Sequence, residues 1–132
     1  MTENKNTSPA NIGELLGTEE IETDAERGYF KGRYQGVQSM SNGRNIIQGG
    51  MLGAMLDNAM ARAAMAHMGP GRHVMSLEMK VNFMAPAPLS SIIGEGWVVK
   101  MGRSIAFLEA RLTDEGGKLL ATCTSTARVT GG

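Results

Sequence analysis

Gln48-Gly49-Gly50-Met51-Leu52-Gly53-Ala54-Met55-Leu56-Asp57, continued by Asn58-Ala59-Met60-Ala61-Arg62-Ala63-Ala64-Met65-Ala66-His67-Met68, is a helix-length run that is apolar on nearly every side. Its start is marked by the glycine pair. Gly69-Pro70-Gly71 stops it, because a glycine cap followed by proline cannot extend a helix. The expected helix spans about residues 50–68. One flat sheet face would leave part of such a helix in water, so the strands have to curl around it.

Asp57 stands in the middle of this apolar run. Taking a carboxylate out of water is costly unless it is paired or used. Two readings are open: an ion pair with Arg62 or a strand arginine that locks the helix, or acid–base work. The glycines also have two. They allow close helix-to-sheet packing, or they leave bare backbone N–H groups at the positive end of the helix dipole, where a carbonyl oxygen can be polarised.

Strands surround the helix in sequence. Before it, Phe30, Gly32 and Tyr34 alternate with Tyr29, Lys31 and Arg33 in a first strand from 28 to 37. Asn42-Gly43 is a turn dipeptide. After the helix, His73, Met75, Leu77, Met79, Val81 and Phe83 alternate with Val74, Ser76, Glu78, Lys80 and Asn82, a strand with one buried face that leaves Ser76 on the polar side. Pro86 and Pro88 close it. Three more strands follow at 92–101, 104–113 and 118–129, joined at Gly102-Arg103 and at Asp114-Glu115-Gly116-Gly117, as an antiparallel meander. Asn11 to Leu16 predicts a short amphipathic helix. Residues 1–10 are expected to form a mobile arm and 11–132 a single domain, within the usual ~100–150 residues.

Lys plus Arg and Asp plus Glu both number 13, which gives no reason to expect a nucleic-acid or membrane partner. No uninterrupted apolar stretch reaches the roughly 18 residues of a membrane span. Cys123 is the lone cysteine, and the N-terminus lacks a basic-then-apolar leader, so a reducing, cytoplasmic setting is expected. One cysteine with His67 and His73 makes neither a metal site nor a Cys–His nucleophile pair. His67 is placed to interact with the carbonyls at the helix end, and Cys123 to fill space in the last strand. Eleven methionines against one Trp, two Tyr and three Phe imply a soft, adaptable interior.

Strand, glycine pair, acid-bearing helix and a four-stranded meander together resemble the hotdog fold, an α+β architecture with one curled antiparallel sheet of about five to six strands around a long central helix. More narrowly, Asn42, Gln48-Gly49-Gly50, Leu56-Asp57, Val74 to Met79, Phe83-Met84-Ala85-Pro86-Ala87 and Gly102 to Phe107 resemble the phenylacetic-acid-pathway (PaaI-like) acyl-CoA thioesterases. The likeness runs over about 27–130, most of the chain. The chain departs from it at Gln48, where the family most often has histidine. Glutamine keeps an amide donor and acceptor but carries no proton near neutral pH.

The resemblance implies hydrolysis of a medium-chain or aryl acyl-CoA, with no cofactor beyond the coenzyme A of the substrate. Asp57 is then base or nucleophile, and the N–H of Gly50, helped by Gly49, is the oxyanion donor. Asp57 lies about 10 Å along the helix from Gly50, so one carbonyl cannot touch both within a chain. The resemblance resolves this with a homodimer, or a tetramer of such dimers, in which Asp57 of one subunit faces the glycine pair of the other. It further implies that Asn42 and Gln48 position the thioester and that Ser76 orients water. Gly102, Arg103 and Ser104 are implied to hold the coenzyme A phosphates, with Arg72 and Arg128 as lesser candidates. A non-catalytic acyl-CoA binding protein using the same cleft is the alternative. A hydratase or dehydratase ranks third, because the helix lacks the histidine such enzymes carry.

Overall fold

The computed structural model describes residues 8–131; most of the expected arm at 1–10 lies outside the described residues. Helix α1 (Ile12–Leu15) is capped by Asn11, whose side-chain oxygen accepts from the Glu14 N–H at 3.1 Å. Strands β1 (Glu19–Asp24) and β2 (Tyr29–Gln35) form a hairpin, and the long helix α2 runs over Gly49–Met68. Then come β3 (Arg72–Phe83), β4 (Ser91–Met101), β5 (Ile105–Asp114) and β6 (Leu119–Gly131). All six strands join one antiparallel sheet in the order β1-β2-β4-β5-β6-β3.

The sheet curls around α2, which buries Leu52, Met55, Leu56, Ala59, Met60, Ala63 and Ala64. Alanines on that face let the helix come very close. A side chain at Gly96 of β4 would collide with the Ala59 carbonyl, so glycine is required where helix and sheet backbones meet. Phe30 and Tyr34 from β2, Leu108 and Leu112 from β5, and Leu120 from β6 fill the space beside it. Met55 and Met60 are fully buried, whereas Met75 and Met84 are exposed, so the methionines are not confined to the interior.

Three expectations change. Strand β1 is additional: Glu19-Glu20-Ile21-Glu22-Thr23-Asp24 has no apolar face to read, and it forms because β2 offers it a free edge. β3 does not run on into the meander; it crosses over to pair with β6, at the far edge of the sheet. Within β3, a bulge between Ser76 and Glu78 shifts the alternation by one residue. Val74 and Ser76 therefore face the helix before the bulge, and Met79 and Val81 after it, leaving Met75 and Leu77 exposed.

Candidate active site

The bulge decides where the candidate acid finds its partner. By setting Ser76 on the helix-facing side of the strand, where it stays exposed, it brings the serine hydroxyl to Asp57, donating to Oδ1 at 2.6 Å. The expectation that Ser76 sits on the polar side is thus corrected. Among the described residues Asp57 takes part in no ion pair. Arg62, its suggested partner, instead lies 5.0 Å over the Phe30 ring and 3.6 Å from Glu20. Asp57 is half-buried. Close by is the buried Cys123, whose thiol pKa is pushed up to about 11 by burial first and then by the charges of Asp57 and Glu78. It is a protonated filler of the last strand.

Gln48 caps α2. Its side-chain Oε1 accepts from the Gly50 N–H at 2.6 Å, so the donor expected to be bare already holds an amide carbonyl. No sequence signal pointed to this. The contact also shows the space available: a Cβ on Gly50 would lie 2.7 Å from that oxygen. Gly49 has a different neighbour, the Phe83 ring, 3.1 Å from where its Cβ would be. Both glycines are approached closely, Gly50 by the flexible end of the Gln48 side chain and Gly49 by the Phe83 ring.

Asn42 lies outside this cluster, in its own turn, with Oδ1 accepting from the Arg44 N–H at 2.8 Å. Its turn reading is the one the geometry shows. His67 turns away from the helix end, its Nδ1 3.0 Å from the Ala25 carbonyl in the β1–β2 hairpin. Among the described residues no group of three or more His, Cys, Asp or Glu side chains could hold a metal ion, and no helix is long and apolar enough to cross a membrane.

At about 100° per residue, Gly50 and Asp57 fall within ~20° of each other around α2 and about 10 Å apart along it. Gly53, Ala54 and Ala61 share that side, none of them fully buried, and Gly53 faces open space. Beside it runs β3, an edge strand bearing Met75 (59% exposed), Leu77 (56%) and Phe83 (56%).

The phosphate candidates gather at the opposite end of the helix. Arg72 pairs with Gly131, Arg128 pairs with Ile105, and the Ser104 carbonyl accepts from the Val129 N–H at 2.8 Å. The Gly102-Arg103-Ser104 hairpin, Arg128 and the start of β3 therefore share the end of the sheet where α2 stops. Arg103 and Arg128 are exposed there, and Arg72 is half-buried.

This wrapped helix and six-stranded sheet are the hotdog fold. The chain belongs to the thioesterase superfamily, whose profile matches residues 45–121, and it is a thioester hydrolase. A phenylacetic acid degradation-related protein of Ralstonia eutropha JMP134 superposes with a TM-score of 0.84 at 30% identity, covering 95% of this chain and 93% of that one. The Escherichia coli PaaI protein from the phenylacetic acid degradation operon is similar in fold, with a TM-score of 0.82, 20% identity, and coverage of 91% and 84%. So is a Streptococcus mutans protein bound to acetyl-CoA, with a TM-score of 0.77, 19% identity, and coverage of 86% and 89%. Among curated proteins, none matches the sequence.

Proposed function

We propose that the chain hydrolyses medium-chain or aryl acyl-CoA thioesters at a site shared by two copies, with Asp57 of one facing the Gly49-Gly50 helix start of the other. The observation that carries this reading is the Ser76 bond to Asp57 at 2.6 Å, made to a carboxylate that forms no ion pair among the described residues. A hydroxyl on Oδ1 fixes the carboxylate's orientation and leaves Oδ2 to take a proton from water as that water attacks the thioester carbon. The carbonyl oxygen becomes an oxyanion and is received by the Gly50 N–H of the partner subunit. The thiolate of coenzyme A then leaves.

Gln48 supports the assignment of the donor, because its own amide oxygen occupies the position a thioester oxygen has to take. Its carboxamide swings aside when substrate arrives, and Nε2 can then donate to the bound group. The small-residue side of α2 and the open edge of β3 are the surfaces a second copy would cover. Acetyl-CoA bound to the Streptococcus mutans neighbour and coenzyme A bound to a thioesterase-like protein of Streptococcus pneumoniae agree with the substrate class.

Release of free thiol from a panel of acyl-CoA esters tests this reading. Asp57→Ala is expected to lower kcat by about 10²–10⁴-fold with the fold intact by circular dichroism. A panel in which aryl and medium-chain esters bind without turnover would remove the substrate assignment. An Asp57→Ala protein of undiminished rate would remove the residue assignment.

A further inference from the structure

Between the short helical turn Gln38–Met40 and α2, residues 41–47 fold into a small closed loop. Its ends are tied by a bridge between Ser41 and Ile47, by the Asn42 N–H donating to the Ile46 carbonyl at 2.9 Å, and by the Gln48 N–H donating to the Met40 carbonyl at 2.8 Å. The tip, Asn42 to Asn45, is exposed. Gly43 takes φ +92°, a conformation that suits glycine, and no residue beyond its chain neighbours lies within 4 Å of where its Cβ would be. The Gly43 nitrogen is therefore uncrowded.

Two hydrogen bonds bear on the Asn42-Gly43 peptide. Asn42 Oδ1 accepts from the Arg44 N–H at 2.8 Å, and the Gly43 N–H donates to Ser41 Oγ at 2.9 Å. The first folds the Asn42 side chain back over the Gly43 peptide, as an Asx turn does, and holds a donor on the oxygen that turns negative when the side-chain carbonyl is attacked. The second sets a proton acceptor on the nitrogen adjoining that carbonyl. Electrophilic carbon, nitrogen nucleophile, proton acceptor and oxyanion donor thus come from four consecutive residues, and placement of reacting groups within one chain raises rates by large factors.

We infer that Asn42 is a site of spontaneous covalent modification. The Gly43 nitrogen bonds to Asn42 Cγ, its proton passes through Ser41 Oγ and water to the departing amide, and the Cγ–Nδ2 bond breaks, so that ammonia leaves and a five-membered succinimide closes. Water then opens the ring. Breaking the new N–Cγ bond leaves an aspartyl side chain at position 42, whereas breaking the bond to the main-chain carbonyl leaves an isoaspartyl link with one more carbon in the backbone. Both products add a negative charge. The isoaspartyl link also lengthens the loop that seats Gln48.

The other described asparagines lack this arrangement. Asn11, Asn45, Asn58 and Asn82 precede Ile12, Ile46, Ala59 and Phe83, whose side chains shield the nitrogen that would attack. Asn58 is held within α2 with its Oδ1 accepting from the Tyr34 hydroxyl at 2.8 Å, and Asn82 lies in the β3 ladder.

Prolonged warming of the full chain in mildly alkaline buffer, followed by a brief tryptic digest in mild acid, tests the assignment. Trypsin releases Tyr34 to Arg44, in which Asn42 is the sole asparagine. That fragment is expected to gain one mass unit and to split into two chromatographic forms, about tenfold faster or more than the fragments carrying Asn45, Asn58 and Asn82. Ser41→Ala should slow the conversion several-fold, and Asn42→Gln, which would need a six-membered ring, should stop it; circular dichroism checks that both variants fold. A synthetic peptide of the Tyr34 to Arg44 sequence that converts while the same segment of the folded chain stays intact would overturn the proposal, because the turn would then protect Asn42. Conversion that ignores Ser41→Ala and runs as fast in urea as in the native chain would also overturn it, leaving the asparagine–glycine pair alone as the cause. None of these readouts depends on the proposed hydrolysis.

Discussion

β1 and β3 are both edge strands, and they treat their unpaired backbone groups in opposite ways. β1 is six residues long and carries Glu19, Glu20, Glu22 and Asp24, with Glu19 paired to Arg33 of the neighbouring strand. A short acidic edge repels another edge, a common means of keeping sheets from joining. β3 is twelve residues long, ~40 Å if fully extended, and exposes Met75, Leu77 and Phe83. Its deterrents to pairing are Arg72 at its start, the bulge between Ser76 and Glu78, and Glu78 and Lys80, which are of opposite sign and can pair across an antiparallel two-fold. Ser76, the partner of Asp57, is on this strand. The sheet thus has one edge closed by charge and one open edge next to the candidate acid.

A matched pair of substitutions gives the largest effect by which to break this comparison. If the site is shared between two copies as proposed, Leu77→Lys on the open edge is expected to lower the mass seen by light scattering to that of a monomer and to cost more than a hundredfold in kcat/KM, because each copy would lose the other's half of the site. Ile21→Lys on β1, at a residue 42% exposed, should change mass and rate by less than twofold. Equal effects at both positions would mean that the edges do not differ in the way described.

The sequence made the open edge visible only in part, and the reason is physical. α2 was legible because twenty residues with apolar side chains on most sides admit one period and one solution, a wrapped helix. The glycine pair and the Gly69-Pro70-Gly71 stop were legible because backbone geometry restricts which residues can stand there. β1 was not, since six mostly charged residues have no buried side from which to read alternation. The bulge at Leu77 was hidden for the opposite reason: Met75, Leu77 and Met79 form an unbroken apolar alternation, and only packing against α2 shows that the first two lie outside. The helix-facing placement of Ser76 followed from the same hidden shift. Gln48 on the Gly50 N–H was equally invisible, because a glutamine before a helix announces a cap far less clearly than serine or aspartate does.

A smaller effect tests whether Ser76 belongs to the open edge for chemistry or for structure. Hydrogen bonds to charged groups contribute about 1.5–3 kcal/mol, so Ser76→Ala should lower kcat by roughly 10- to 100-fold if the bond orients Asp57 in the reaction. Ser76→Thr keeps the hydroxyl and should recover most of the rate. Loss of thermal stability without loss of kcat in Ser76→Ala would assign the serine to strand packing alone.

The smallest effect uses Cys123 as a reporter beneath the same edge. Its pKa is raised to about 11, by burial first and by the Asp57 and Glu78 charges next, so the thiol is protonated through neutral pH and alkylation should stay slow until the medium approaches that value. The sign for Asp57→Asn follows directly: removing a nearby negative charge makes the thiolate less unfavourable, lowers the pKa, and raises the alkylation rate at pH 9 several-fold. Glu78→Gln should act in the same direction and more weakly, being the lesser of the two charges. Ile21→Lys, on the far edge, should leave the labelling rate unchanged. If Asp57→Asn labels no faster than the native chain, the carboxylate does not face the β3–β6 side as described, and the link between the open edge and the candidate acid is lost.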